Sequence, residues 1–463
     1  MSSRTSAPGI VALAVFALAI VRAPSDSDMY WHLASGRWML EHSDILRTDV
    51  FTTTVAGQPY SVGEWLGQVV LYLAYAIGGW PGLALLRGLL VGVAAFFLTR
   101  VALRATERTG IAILLVVPAL VLSSIVWTDR PHLFTLAFFP LLLDVLFAAR
   151  AGRTRWLLVV PPLLLIWTNL HGGYALGLAT AGIFAVAALL ERGAWRAFGA
   201  AAIVGGIATL ADPGSLGLLS AIEHAASPPR FIVEEAPPDV LRPAGFVFAL
   251  FALGTLAVAL RAGGSLLDAL LLIPLLWLAL SAQRDMPYFA FAAVPYLARA
   301  LPLAAPRLAR ARVAPSPRAL SRVRHPARAV GMGLAAGAVA MAVLGIAALP
   351  SGPDESAYPT GAVAPLREGR GTLLHEYDWG GYLIWRVPER PVFIDGRLFP
   401  FLPRVYEEWR AAVMLGPRWR DVLARHDVTT VLLRPDRPLV GALRDDGWRE
   451  VAGAAGWILL ARP

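Results

Sequence analysis

The 463-residue chain has no cysteine and no lysine, and only 16% of its residues are charged. Without thiols it holds no disulfide framework, no thiolate metal site and no cysteine nucleophile. With 57% hydrophobic residues and a mean hydropathy of +0.60, it falls outside the soluble class and reads as a polytopic α-helical membrane protein. The net charge of +9 does not argue for nucleic acid as a partner. All 41 basic residues are arginine, and they stand in short runs between apolar segments instead of covering one domain. Such runs are topology signals. No internal repeat stands out.

What is present is a series of apolar spans. The first, residues 7–20, follows Arg4 and has no Ala-x-Ala site behind it. It is read as a retained span with its N-terminus in the cytoplasm, not as a cleaved signal peptide. Met29, Leu33 and Leu40 then mark one face of a helix expected to lie along the membrane interface, with Tyr30, Trp31 and Trp38 as anchors. Residues 65–77 are too few for a hydrocarbon core that needs about 20, so a second surface-lying helix is expected there. Gly78-Gly79-Trp80-Pro81 ends it. Further on, residues 83–98 are followed by Arg100, Arg104 and Arg108, and residues 135–147 by Arg150, Arg153 and Arg155. Arg192, Arg196 and Arg261 follow later spans, and residues 307–328 form a basic loop.

Placing these loops in the cytoplasm of a cell-membrane protein gives about 11 transmembrane helices, the last over residues 329–348, in a domain covering 1–350. Residues 351–463 return to a soluble composition. Strand-like runs at 372–374, 392–394, 430–433 and 457–460, with helical patterns at 404–415 and 419–426, predict a small external α/β domain.

The connections opposite the arginine runs collect most of the remaining polar groups. Behind the first span stands Ser25-Asp26-Ser27-Asp28-Met29-Tyr30-Trp31-His32. Later come Asp129-Arg130-Pro131-His132, Asn169-Leu170-His171-Gly172-Gly173-Tyr174, Asp212 and Gln283-Arg284-Asp285-Met286-Pro287-Tyr288. A longer connection, 213–243, adds Glu223, His224, Arg230, Glu234 and Glu235. All of them share one predicted face.

An acidic motif directly after the first span, a following Tyr30-Trp31-His32, interface helices, many spans and an external C-terminal domain together resemble the GT-C superfamily of integral-membrane glycosyltransferases. The resemblance implies a sugar transferred from a polyprenyl-phosphate-linked donor to a lipid, glycan or protein acceptor at the extracytoplasmic face. Many members have Asp-Glu where this chain has Asp26-Ser27, so the second carboxylate falls to Asp28. A soluble nucleotide sugar is not the expected donor, since no nucleotide-binding domain or Gly-rich phosphate loop is evident.

Breaking a sugar–phosphate bond needs a base for the acceptor hydroxyl and cations for the departing phosphate. Asp26 is the candidate base. Asp28 lies on its side in an extended segment and shares a face with His32 in a helix, so either geometry keeps it near the chemistry. Together, Asp26 and Asp28 offer a hard-oxygen site for Mg²⁺ or Mn²⁺. Arg130 and Arg284 are candidates for the donor phosphate, with His132 assisting. His32, Asn169, His171 and Tyr288 are candidate substrate-binding residues. The blander alternatives are that Asp129-Arg130 and Arg284-Asp285 are neighbouring charges that partly cancel at helix ends, that Gly172-Gly173 is only a tight turn, and that Asp395 and Arg397 are structural. Two other functions stay open: an inactive membrane scaffold of this shape, and a lipid or solute transporter, for which Asp144 and Asp268 are the few intramembrane carboxylates.

Overall fold

The computed structural model describes residues 3–60, 63–213, 233–305 and 326–463. Glu223, His224, Arg230 and the basic loop up to residue 325 lie outside the described residues. In chain order, the first helices are α1 (Ser3–Ile20), α2 (Asp28–His42), α3 (Trp65–Ala105), α4 (Thr109–Ser123), α5 (His132–Arg150) and α6 (Val160–Leu170). They are followed by α7 (Tyr174–Leu190), α8 (Trp195–Ala208), α9 (Pro243–Ala262), α10 (Leu266–Ser281), α11 (Met286–Ala304) and α12 (Pro326–Ala347). The chain divides into two compact units: unit 1 is Met1–Arg22 with Ala84–Pro350, and unit 2 is Ala23–Leu83 with Ser351–Pro463.

Unit 1 is a helix bundle, as expected where backbone N–H and C=O groups must be satisfied without water. Four described helical segments are long and apolar enough to cross a membrane: α3, Thr109–Val126, α5 and α9. Six shorter apolar ones accompany them. At the centre runs α11, buried along nearly its whole length and packed against α4, α5, α9 and α10. Ala290, Ala292, Ala293, Ala298 and Ala300 keep its surface narrow, which lets neighbouring backbones approach closely. Elsewhere α1 packs along α12, where Gly88 and Gly345 make room for the Ile20 side chain.

Unit 2 is a four-stranded sheet with helices, in the order β1-β2-β4-β3: β1 (Thr372–His375), β2 (Val428–Leu433), β3 (Arg449–Ala454) and β4 (Trp457–Ala461). The pair β1–β2 is parallel; β2–β4 and β3–β4 are antiparallel. Three expected strands are present. Residues 392–394 form only isolated bridges, Val392 pairing with Leu373 and with Thr52. Strand β3 escaped notice because Arg449-Glu450-Val451 carries no buried face at all.

Unit 2 joins residues 23–83, about a third of its length, to the stretch after residue 350. Residues 51–54 are tied to 392–393 by Val392 N–H to Phe51 C=O (2.9 Å), Thr53 N–H to Val392 C=O (2.9 Å) and Thr54 Oγ1–H to Phe393 C=O (2.7 Å). Helix α2 packs against the helix Gly380–Arg386 and buries Met29, Tyr30, Trp31 and Ala34 in a core shared with Leu373, Trp379 and Tyr382. It therefore does not present a single apolar stripe with its other faces polar. Leu40, expected on that stripe, is exposed. Nor are Tyr30 and Trp31 interface anchors: Tyr30 meets the rings of Trp80, Tyr358 and Tyr382 at 5.3–6.1 Å. The expected break after residue 77 occurs at Gly79, whose φ of 60° suits glycine, but the chain turns helical again at once and α3 continues to Ala105.

Candidate functional site

In unit 2 the acidic motif opens α2. The Asp28 backbone N–H donates to Asp26 Oδ1 at 3.0 Å, so one Asp26 oxygen helps start the helix. Asp28 occupies the first turn, where the helix dipole favours a negative charge. Its carboxylate lies against the backbone of Gly396: a Cβ there would collide with Asp28 Oδ1 and stand 3.1 Å from Trp31 Nε1. Only glycine allows this approach. Burial, then the charges of Asp26 and Asp28, push the Tyr358 hydroxyl above the usual phenol range; burial and Asp28 do the same to Tyr377. Trp31 Nε1 and the Tyr30 hydroxyl are buried with no hydrogen-bond partner among the described residues. In sequence Trp31 looks like an anchor, because its position says nothing of this indole donor.

His32 is buried against the Trp31 ring, and its Nδ1 faces Gln68 Nε2 at 3.4 Å and Glu64 Oε1 at 3.5 Å. This placement gives His32 packing and hydrogen-bonding duties inside unit 2. Asp395 and Arg397 also act structurally. Arg397 Nη2 lies 2.6 Å from both Asp49 and Asp395, and the guanidinium is covered by Phe51, Tyr60 and Phe401. Burial opposes its charge, yet Asp395 and Asp49 prevail and hold Arg397 more firmly protonated than an ordinary arginine.

Unit 1 brings together Arg130 and Arg284. The turn Val233–Glu235 supplies both counter-ions: Arg130 donates two parallel hydrogen bonds to Glu234, each 3.0 Å, while Arg284 pairs with Glu235. The Gln283 N–H donates to Ala236 C=O (2.9 Å), docking this turn on the segment that carries Arg284. Both arginines thus form ion pairs away from their sequence neighbours, while Arg284 also pulls on Asp285. Asp129 pairs with the buried Arg87 at 2.5 Å, and Arg87 also donates to the Ala19 and Arg22 carbonyls. Arg87 is a residue the sequence reading missed, although a lone ionisable group inside an apolar run is itself a signal. Burial pushes Asp285 up to about 6 against the pull of Arg284, and raises Glu235 as well.

His171 belongs to this cluster. Trp167 Nε1–H donates to Thr135 Oγ1 (2.8 Å), Thr135 bonds to His171 Nδ1 (2.8 Å), and the Gly173 N–H donates to the same nitrogen (3.0 Å). Nδ1 therefore accepts, which places the ring proton on Nε2. Burial, then the neighbouring His132, Arg284 and Arg130, lower the pKa of this imidazole well below the usual range and hold it neutral. Gly173 is more than a turn: a Cβ there would collide with Thr135 and His171. His132 spends Nε2–H on the Val126 carbonyl (2.5 Å), and Asn169 spends its amide on the Leu165 carbonyl (2.8 Å), so both have structural duties. Tyr288 is buried edge-on to Phe139. The two carboxylates of the transporter reading are engaged: Asp144 by Arg100 and Arg104, Asp268 by Arg299 and the Ser265 cap.

Among the described residues, no group of three or more His, Cys, Asp or Glu side chains is placed to hold a metal ion. Asp26 and Asp28 alone are too few for a protein-built cage, and one of their oxygens is taken by the helix start.

No protein-family model and no curated protein matches this sequence. Solved structures do resemble it. An oligosaccharyltransferase, AglB, from Archaeoglobus fulgidus, in complex with an inhibitory peptide and a dolichol-phosphate, has a TM-score of 0.63 at 13% identity over 93% of this chain and 69% of that one. Its apo form gives 0.64 at 14% identity with the same coverage. ArnT from Cupriavidus metallidurans, bound to undecaprenyl phosphate, gives 0.54 at 15% identity over 99% and 97%. Likeness at such identities speaks to architecture and not to chemistry. The chain therefore shares the fold of these solved structures.

Proposed function

We propose that the protein transfers a sugar from a polyprenyl-phosphate-linked donor to a lipid, glycan or protein acceptor at the external face of the cell membrane. The observation that carries this reading is the Arg130–Arg284 cluster. Far apart in sequence, the two guanidinium groups meet on Glu234-Glu235, and Arg130 uses the forked geometry that phosphate oxygens also accept. Dolichol-phosphate and undecaprenyl phosphate in the similar structures agree with such a donor.

In the proposed reaction Asp26 takes the proton of the acceptor hydroxyl, whose oxygen attacks the anomeric carbon. The bond from that carbon to the phosphate oxygen breaks, and its electron pair leaves with the polyprenyl phosphate. Within unit 1, Arg130 and Arg284 are the cations suited to such a phosphate. Asp28 orients Asp26 or the sugar, and Trp31 Nε1–H supplies a donor for a sugar hydroxyl. No step is routed through a divalent ion. The ten apolar helical segments, with α11, make the eleven crossings of this reading, with the N-terminus cytoplasmic and residues 351–463 extracytoplasmic.

The test uses the full-length protein in nanodiscs and measures undecaprenyl phosphate binding and sugar transfer separately. Arg284→Gln is expected to weaken binding, whereas Asp26→Asn keeps binding and abolishes transfer. Unchanged cellular glycoconjugates in Asp26→Asn and Asp28→Asn strains would instead favour the inactive scaffold.

A further inference from the structure

The ends of α3, α5 and α11 away from Arg130 and Arg284 enclose a second feature of unit 1. Helix α5, 19 residues long, separates the two ends by about 28 Å. There a cavity of about 920 Å³ opens between Arg104, Arg150, Arg153 and Arg299 on its polar side and Phe147 and Leu303 on its apolar side. It has no part in the transfer reaction proposed above.

The charge of this cavity is not balanced. Arg100 and Arg104 share Asp144, Arg150 pairs with Glu191 at 2.6 Å, and Arg299 pairs with Asp268 at 2.5 Å. Among the described ion pairs and Arg153, five arginines thus stand against three carboxylates, each already engaged. Arg153 is exposed, and its side chain has no ion pair among the described residues. The apolar side is equally unfinished, with Leu303 72% exposed at the rim and Phe147 beneath the Arg299 guanidinium at 5.8 Å. A small anion would satisfy the arginines and leave the apolar rim in water. Basic pockets between membrane helices on the arginine-rich side suit a phosphate head group with acyl chains beside it.

We propose that this cavity is a binding site for an anionic phospholipid, distinct from the donor site. The phosphodiester sits among Arg150, Arg153 and Arg299, and the first acyl carbons lie on Phe147 and Leu303. Guanidinium forks select phosphate over zwitterionic head groups through their uncompensated charge. The volume matches the range of about 300–1,000 Å³ common to small-ligand sites.

Native mass spectrometry of the full-length protein, released from micelles doped with phosphatidylglycerol or phosphatidylcholine, tests the proposal. Wild type is expected to retain phosphatidylglycerol at least fivefold more than phosphatidylcholine. The double variant Arg150→Gln/Arg153→Gln should lose that preference, and Leu303→Glu, an exposed change that leaves every arginine in place, should weaken retention as well. Inorganic phosphate at millimolar concentration should fail to displace the lipid. Equal retention of both lipids, unchanged retention in the two variants, or displacement by inorganic phosphate would each overturn the assignment, the last in favour of a free anion.

Discussion

Arg397 in unit 2 and the Arg130–Arg284 pair in unit 1 both meet carboxylates, but under opposite conditions. The Arg397 side chain is 0% exposed, faces two buried acids and is roofed by three aromatic rings. Arg130 and Arg284 keep 19% and 41% of their side-chain surface and pair with acids from one short turn. A sealed cation cannot trade its acids without leaving charge stranded in a low dielectric. A partly exposed one gives up its carboxylate at a smaller loss, because water screens part of the pair. An acidic neighbour therefore says little about an arginine's role; access to water says more.

The largest effect that sharpens this contrast is on stability. Arg397→Met strands Asp49 and Asp395 and is expected to cost about 3–5 kcal/mol, read as a lower tryptophan-fluorescence midpoint of thermal unfolding. Arg284→Gln should stay within about 0.5 kcal/mol of wild type in the same measurement. Similar losses for both would erase the distinction.

Acid should act on the sealed region next. His375 donates Nδ1–H to the Glu376 carbonyl (2.8 Å) and accepts the Phe393 N–H on Nε2 (3.1 Å), and burial lowers its pKa to about 4. The unfolded chain, with histidine near 6.5, takes up a proton first as pH falls. The stabilisation is thus complete above pH 6.5 and lost towards pH 4, by about 3 kcal/mol. His375→Gln should flatten that limb of the stability curve.

Binding effects come third. Arg130→Gln or Arg284→Gln should weaken undecaprenyl phosphate binding roughly tenfold or more, since hydrogen bonds to charged groups contribute about 1.5–3 kcal/mol. The smallest effect has the opposite sign. Glu234→Gln/Glu235→Gln removes the competing carboxylates and should tighten binding by a few-fold, up to about tenfold. Weaker binding in that variant would mean that the acids build the site instead of occupying it.

Much of the fold was legible because lipid-crossing helices write themselves as apolar runs ended by arginine. The helices of unit 2 were legible for the same kind of reason, since Arg404–Val413 and Trp419–Arg425 keep a clear apolar face. Helix α2 was misread because it is buried on nearly every side and carries no stripe to orient it. Of the site, the residue types were visible but the pairings were not. Arg130 passes over Asp129 for Glu234, and Asp129 takes Arg87 from another helix; sequence adjacency has no bearing on either choice. Trp31 shows the same limit, since a buried indole with an idle N–H looks in sequence like any interfacial tryptophan.

Unit 2 is assembled from two stretches with residues 84–350 between them. At translation speeds of about 5–20 residues per second, Asp28, Tyr30 and Trp31 leave the ribosome roughly 17–70 s before the first of the strands that will cover them. During that interval the acidic motif has no bed, and its aromatic neighbours are open to whatever chaperone or lipid is at hand. The core that holds them closes only once the last quarter of the chain has been made.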